Sequence, residues 1–255
     1  MQGPREHETT SERRQLTVLF ADLVNSTGLA TTLDPEDFHE VIDAYQHQVA
    51  EVIASHGGTV TQFQGDGVVA YFGWPKGSDS AAQDALSAGL SIVEAVSHVT
   101  ERLDLPGLPT LAARVGIHTG VVVVATASAG GVMRPADIFG DAPTVASRLQ
   151  GVAGPGQVLV SGLTASLNAG WFVMEALGAK TLKGFQFPME VFRVIAPTGI
   201  RSRLDAGHLT KFVGRQPELA AVASHWEATR LGRPRTVMIV GEPGIGRASC
   251  RERVS

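Results

Sequence analysis

The chain has little that could crosslink it, anchor it or draw it to nucleic acid. It has a single cysteine, Cys250, in 255 residues, so no internal disulfide framework can form. Basic residues are not in excess: 21 Lys and Arg against 25 Asp and Glu leave a net charge of −4, without the electrostatic footprint of a nucleic-acid binder. No apolar run approaches the roughly 20 residues that cross a bilayer; the longest of note, 121–127, is strand-sized. Met1 to Gln15 are charged and polar and lack the apolar centre of a signal peptide. Aromatics are scarce at 6%, whereas 29 glycines accompany abundant alanine and valine, which points to tight packing of small side chains. With 44% hydrophobic residues a core is expected and global disorder is excluded. The expectation is a soluble, cytoplasmic chain with one good-sized domain plus part of another.

What the sequence does have is organised around two aspartates. Asp22 closes an apolar run, Leu16 to Phe20, that reads as a buried strand. Asp66, in Gln64-Gly65-Asp66-Gly67, sits between two β-rich runs, Thr59 to Phe63 and Val68 to Phe72; Asp-Gly at such a junction is a strong hairpin signal. One helical stretch separates strand from hairpin. It opens at Asp34-Pro35-Glu36-Asp37, with Asp as N-cap and Pro at the first position. Phe38, Val41, Ile42, Tyr45, Val49, Val52 and Ile53 follow a 3.6-residue period, and Gly57-Gly58 ends it. A second helix is expected from Ser80 to about Leu103. Strand, helix, hairpin, helix is the opening of a ferredoxin-like βαββαβ layout, an α+β fold with a sheet flanked by helices. In that layout the hairpin's second strand lies antiparallel beside the first strand, so Asp22 and Asp66 converge. Two carboxylates at a strand end are hard oxygen ligands for divalent cations.

Further on, Leu111 to Ile117 and Gly120 to Ala125 read as two strands, Thr126 to Pro135 as an exposed arm, and Asp141 to about Val152 as a short helix. Gln157 to Val160 reads as a strand, Ser161 to Asn168 as a helix capped by Ser161, and Trp171 to Leu177 and Met189 to Ile195 as closing strands. Residues 1–14 read as a flexible arm, 15–195 as the main domain and 196–210 as a linker. Residues 211–246 read as the start of a second domain: a helix from Phe212, a strand over Thr236 to Val240, then Gly241-Glu242-Pro243-Gly244-Ile245-Gly246, which begins like a phosphate-cradling loop. Lys and Ser or Thr should follow, but Arg247 and Ala248 stand there. Residues 247–255 resemble translated sequencing-adapter read-through and are expected to be a non-native tail on a truncated gene; re-sequencing the locus checks this.

Five segments together resemble the catalytic domain of class III nucleotide cyclases, in that family's order over about residues 14–195. They are Phe20-Ala21-Asp22-Leu23-Val24-Asn25-Ser26-Thr27, Gly65-Asp66-Gly67, Gly116-Ile117-His118-Thr119-Gly120, the run from Asp137 to Leu149, and Leu182-Lys183-Gly184. The segment from Phe212 to Gly246 resembles the entry to a STAND-type ATPase. The cyclase resemblance implies conversion of ATP to cyclic AMP and pyrophosphate, with two Mg²⁺ or Mn²⁺ ions held by Asp22, the Leu23 backbone and Asp66. It implies that the backbone from Leu23 through Asn25, Ser26 and Thr27 cradles phosphates, and that Gln62 and Asp137 meet the base. Gln62 can donate to adenine N1 and Asp137 can accept from the N6 amine, which favours ATP over GTP; Gln62 reads equally well as an exposed strand residue. Arg148 is implied as the clamp on charge at the α-phosphate. Thr144 stands where the family carries a ribose-orienting Asn. Lys183 would approach the triphosphate, with Phe185 where some relatives carry a second lysine. His118 reads as a satisfied strand histidine. The resemblance also implies a head-to-tail homodimer, Asp22 and Asp66 coming from one protomer and Gln62, Asp137, Thr144 and Arg148 from the other. Gln62, Thr144 and Phe185 support a competing expectation, a degenerate nucleotide-binding dimerisation module that regulates a downstream ATPase.

Overall fold

The computed structural model describes residues 9–103, 105–129, 132–133, 137–199, 216–233 and 235–238. It separates into two units, Met1–Gly199 and Ile200–Ser255. The first begins with strand β1 (Thr9–Leu23), helix α1 (Ser26–Thr32) and helix α2 (Pro35–Ser55). Hairpin β2 (Thr59–Gln64) and β3 (Gly67–Phe72), helix α3 (Ala81–Ser97) and the long β4 (Ala113–Ala129) follow. Then come β5 (Val132–Met133), β6 (Asp137–Phe139), α4 (Ala142–Val152), β7 (Val158–Ser161), α5 (Gly162–Leu167), β8 (Phe172–Lys180) and β9 (Met189–Pro197).

The strands form one mixed sheet in the order β2-β3-β1-β4-β7-β9-β8, with β5 and β6 on β4. The run β2-β3-β1-β4 is the antiparallel order that a βαββαβ unit produces, while β4 and β7 run parallel. Strand periodicity divides β1 between two cores. Leu19, Ala21 and Leu23 face α2 and α3, packing with Val41, Tyr45, Val49, Ile53, Leu86 and Ile92. Leu16 and Val18 face the other way, joining Val122, Val124, Ala142 and Ala146 under α4. Asp22 has the same parity as Leu16 and Val18, which turns it toward α4.

Several boundaries differ from the sequence reading. The strand begins at Thr9, not after an arm ending at residue 14, because Thr9 to Gln15 pair with Val121 to Ala127; a polar edge segment gave no apolar signal for its ladder. The two strands read over 111–125 are one, since His118 and Thr119 stay in register opposite Val18 and Thr17. Within the expected arm at 126–135, β4 runs on to Ala129 and pairs with β5, Ser128 opposite Met133; residues 130, 131, 134 and 135 lie outside the described residues. Two helices, not one, lie between β1 and the hairpin. The second helix stops at Ser97 and is followed by a single 3₁₀ turn, Thr100–Arg102. Asp34 caps α2 as expected, its Oδ1 accepting from the Glu36 N–H at 3.0 Å.

In the second unit, α6 (Gln216–Arg230) matches the expected helix, but Thr236 to Met238 carry no strand. The glycine-rich stretch 241–246 and the tail 247–255 lie outside the described residues, as do residues 1–8 and most of the linker. No helix among the described residues is long and apolar enough to cross a membrane.

Candidate active site

The site starts from the end of β1. Ala21 pairs with Val68 of β3, and Asp22 stands opposite Arg114 of β4. Gln64 pairs with Gly67, so the hairpin turn is Gly65-Asp66, one residue earlier than the Asp-Gly reading. Gly65 has φ 62°, and Asp66 is not in the left-handed region. Positive φ at the first central position alone is the type II′ pattern, which needs glycine there. Gln46 Nε2 donates to the Gly65 carbonyl at 2.6 Å and ties the turn to α2. Because Ala21 pairs with Val68 and Gln64 with Gly67, the turn carrying Asp66 ends beside Asp22, and the two carboxyls act on each other.

Three further residues complete the cluster, none of them anticipated from sequence. Arg114 donates to Asp22 Oδ2 from Nε at 2.9 Å and from Nη2 at 2.6 Å. Gln150 of α4 donates to the same oxygen from Nε2 at 2.9 Å. Tyr45 of α2 is fully buried, and its hydroxyl has no hydrogen-bond partner among the described residues. Burial pushes the Asp22 carboxyl above its ordinary value, the Arg114 bond pulls it back, and Asp66 adds to the upward push. Burial also lifts the Tyr45 phenol well above its usual range, with the negative charges of Asp22 and Asp66 adding to it. The signals were present in the sequence. Arg114 is a lone charge in an apolar strand, and Gln150 is a polar residue four positions after buried Ala146 on the sheet-facing side of α4. Tyr45 lay within the apolar period of α2 and was read as core alone.

Among the described residues, no group of three or more His, Cys, Asp or Glu side chains could hold a metal ion. An all-protein cage for a cation is therefore not formed there. A pair of carboxylates, by contrast, is the donor set Mg²⁺ uses when substrate phosphates and water supply the other ligands. Two carboxylates brought together by strand register, with the buried Tyr45 hydroxyl, partnerless among the described residues, feeling the charge of both, fit such a cation.

Residues 9–196 match the family model of the adenylate and guanylate cyclase catalytic domain. The chain belongs to this family. The cyclase domain is similar in structure to the adenylyl cyclase CyaB from P. aeruginosa, with TM-score 0.67, 28% identity, and 73% of this chain and 96% of that one covered. It is equally similar to the guanylyl cyclase Cya2, with TM-score 0.67, 26% identity, and 75% and 97% covered. An uncharacterised protein of Rhizobium meliloti is 36% identical over 239 residues, 93% of this chain and 23% of that protein. The chain spans less than a third of the length of the first curated relatives it matches.

The other expected site residues of the cyclase domain are spread over several elements. Leu23 is buried, so only its backbone could serve a ligand. Asn25 adopts φ 60°, ψ 29° and leads into α1, placing Ser26 and Thr27 in its first turn, where backbone N–H groups lack helical partners. The Asn25 side chain lies over Gly28, where an added Cβ would come within 2.4 Å of its Oδ1. Gln62 is exposed on β2 at a register shift. Asp137 opens β6 opposite Ala125. Thr144 and Arg148 are exposed, one turn apart on α4. Lys183 is exposed in the loop before β9, beside buried Leu182. His118 is buried, with Nδ1 2.7 Å from Ser161 Oγ, and burial pulls its pKa down, opposed by Asp141. It is a satisfied strand histidine.

Proposed function

We propose that the cyclase domain converts ATP to cyclic AMP and pyrophosphate at sites shared between two copies of the chain. The observation that carries this reading is the strand register that brings Asp66 of the hairpin turn beside Asp22 at the end of β1, where substrate phosphates can complete a cation's coordination. Held by Asp22, the Leu23 carbonyl and Asp66, two divalent cations (Mg²⁺ or Mn²⁺) would lower the pKa of the ribose 3′-hydroxyl and offset the triphosphate charge.

In the proposed reaction the 3′-oxygen bonds to the α-phosphorus, the bond to the β-phosphate oxygen breaks with its electron pair leaving on pyrophosphate, and the hydroxyl proton passes to water. The backbone N–H groups of Ser26 and Thr27, with Asn25 turning the chain, receive phosphate oxygens. Arg114 is paired with Asp22 in the free chain and would turn to phosphate charge when substrate arrives. Arg148 donates to the α-phosphate oxygens as charge builds there. Thr144 contacts the ribose with one hydroxyl. Gln62 donates to adenine N1, and Asp137 accepts from the N6 amine. A guanine O6 would set an acceptor against Asp137, which disfavours GTP. Lys183 approaches the triphosphate from the loop before β9.

The need for two copies rests on exposure. Gln62, Thr144 and Arg148 all open to solvent, whereas Asp22 is largely enclosed, its side chain 19% exposed. A head-to-tail homodimer brings the first set over the second. Mixing Asp22→Ala and Arg148→Ala chains tests this. Each variant alone is inactive, and an equal mixture regains about a quarter of the wild-type rate, since half the dimers are mixed and each holds one intact site. Two folded variants that stay inactive when mixed contradict the shared site.

A second reading, a nucleotide-binding dimerisation module without turnover, draws on the single Thr144 hydroxyl and on Phe185, which packs with Leu177 and Met189 beside the buried Leu182 core and offers no cation. ATP binding to the dimer without product distinguishes it. Residues 211–246 read as the start of a P-loop ATPase that this domain would regulate. The Rhizobium match supports a continuation, because it covers more of the chain than the cyclase domain does.

A further inference from the structure

We infer that Gln150 is a positioning residue for Asp22, holding its carboxylate ready for a cation while leaving its charge uncancelled. The inference rests on the reading of Asp22 and Asp66 as the cation site. Asp22 Oδ2 takes three donors: Arg114 Nε, Arg114 Nη2 and Gln150 Nε2. An ionised carboxylate only accepts, so the amide nitrogen of Gln150 must be the atom facing it. With all three on Oδ2, Oδ1 is the oxygen left for a cation.

The two partners differ in charge. Arg114 orients the carboxylate but also neutralises it, and a bound triphosphate would compete for the guanidinium. Gln150 orients it without a charge and has no such competitor. Its reach is built into the backbone. Helix α4 lies so close to β4 at Gly116 that an added Cβ would sit 2.2 Å from the Gln150 nitrogen and 2.3 Å from the Ala146 carbonyl oxygen. That approach brings a side chain on the sheet-facing side of α4 to the end of β1. The helix exposing Thr144 and Arg148 on its outer side is thereby tied to Asp22 of its own chain.

The test is a titration of the full chain with Mn²⁺ alone, followed through the resonance of free Mn²⁺, on the wild type, Gln150→Met, Gln150→Asn and Asp66→Ala. Met keeps the length and shape of Gln without its donor, and Asn keeps the amide one methylene short. Both variants weaken Mn²⁺ binding by about tenfold to a hundredfold, the range for losing an outer-shell partner of a ligand. The cation-free melting temperature of Gln150→Met stays at the wild-type value, which separates positioning from packing. Any cyclase activity then needs more Mn²⁺ for half-maximal rate and recovers at saturation. Wild-type affinity in both Gln150 variants overturns the inference and leaves the cation site standing. No binding by the wild type, or undiminished binding by Asp66→Ala, overturns the cation reading and the inference with it.

Discussion

Replacing Asp66 with Asn is expected to abolish the proposed cyclic nucleotide production and to raise the melting temperature of the cation-free protein. Both effects follow from the contact with Asp22. A cation held by one carboxylate instead of two is bound loosely, and loss of several kcal/mol of charge stabilisation in the transition state lowers the rate on the order of 10³-fold. The stability effect has the opposite sign. Asp22 is pushed above its ordinary carboxylate value, first by burial and then, against the pull of Arg114, by Asp66. A carboxyl whose folded-state pKa lies above its unfolded one binds its proton more tightly when folded. It therefore costs stability as pH rises from the unfolded value through the folded one, and the cost is fully present above the folded value. Asn at position 66 removes the like charge and with it part of that cost. Melting curves at pH 7.5 and at lower pH, in chelator, measure this: the Asn variant gains at pH 7.5, and the gain shrinks as pH falls through the raised Asp22 value. An Asp66→Asn chain that retains full activity, or that melts lower than wild type at pH 7.5, contradicts the assignment.

Gly116→Ala is expected to destabilise the domain by about 3 kcal/mol, the upper part of the overpacking range. Strand propensity argues for the reverse, since glycine in a strand interior is unfavourable relative to alanine by roughly 0.5–1 kcal/mol. Sterics decides the sign here. The added Cβ would meet the Gln150 nitrogen at 2.2 Å, the Ala146 carbonyl oxygen at 2.3 Å and the Gln150 Cα at 2.8 Å. All three are backbone atoms of α4 and cannot swing aside as a side-chain tip can, so the helix must lift off β4. Its buried face, Ala142, Val145, Ala146 and Leu149, loses contact with the sheet, and Gln150 loses Asp22. Denaturant unfolding gives the stability, and Mn²⁺ binding gives the second effect. A Gly116→Ala chain as stable as wild type would mean that α4 does not press on β4 in solution.

The framework was legible in the sequence because its signals are local. Capping at Asp34, the 3.6-residue period of α2, the apolar run of β1 and a hairpin around Asp66, though with its turn one residue off, each specify an element, and their order specifies the βαββαβ unit. The convergence of Asp22 and Asp66 followed from that order alone. Pairings that depend on partners were not legible. Thr9 to Gln15 are polar, and only their ladder with Val121 to Ala127 makes them strand. Arg114 reaches Asp22 through strand register, and Gln150 reaches it through a helix–sheet approach set by Gly116; neither distance leaves a mark in local periodicity. Gly116 was read as part of a motif, whereas its physical role is to leave room for the backbone of α4. Gln62, Thr144 and Arg148 are exposed in the single chain, and the role proposed for them requires a second chain to cover them.

The most direct measurement is product analysis with the purified full chain, Mn²⁺, and either ATP or GTP. The account predicts cyclic AMP and pyrophosphate in equal amounts from ATP, with far less cyclic GMP from GTP because Asp137 meets guanine O6 acceptor to acceptor. Cyclic GMP as the main product would overturn the base assignment and leave the cyclase standing. No cyclic nucleotide from either triphosphate, by a folded dimer that still binds ATP, would contradict the central claim and leave the nucleotide-binding module in its place.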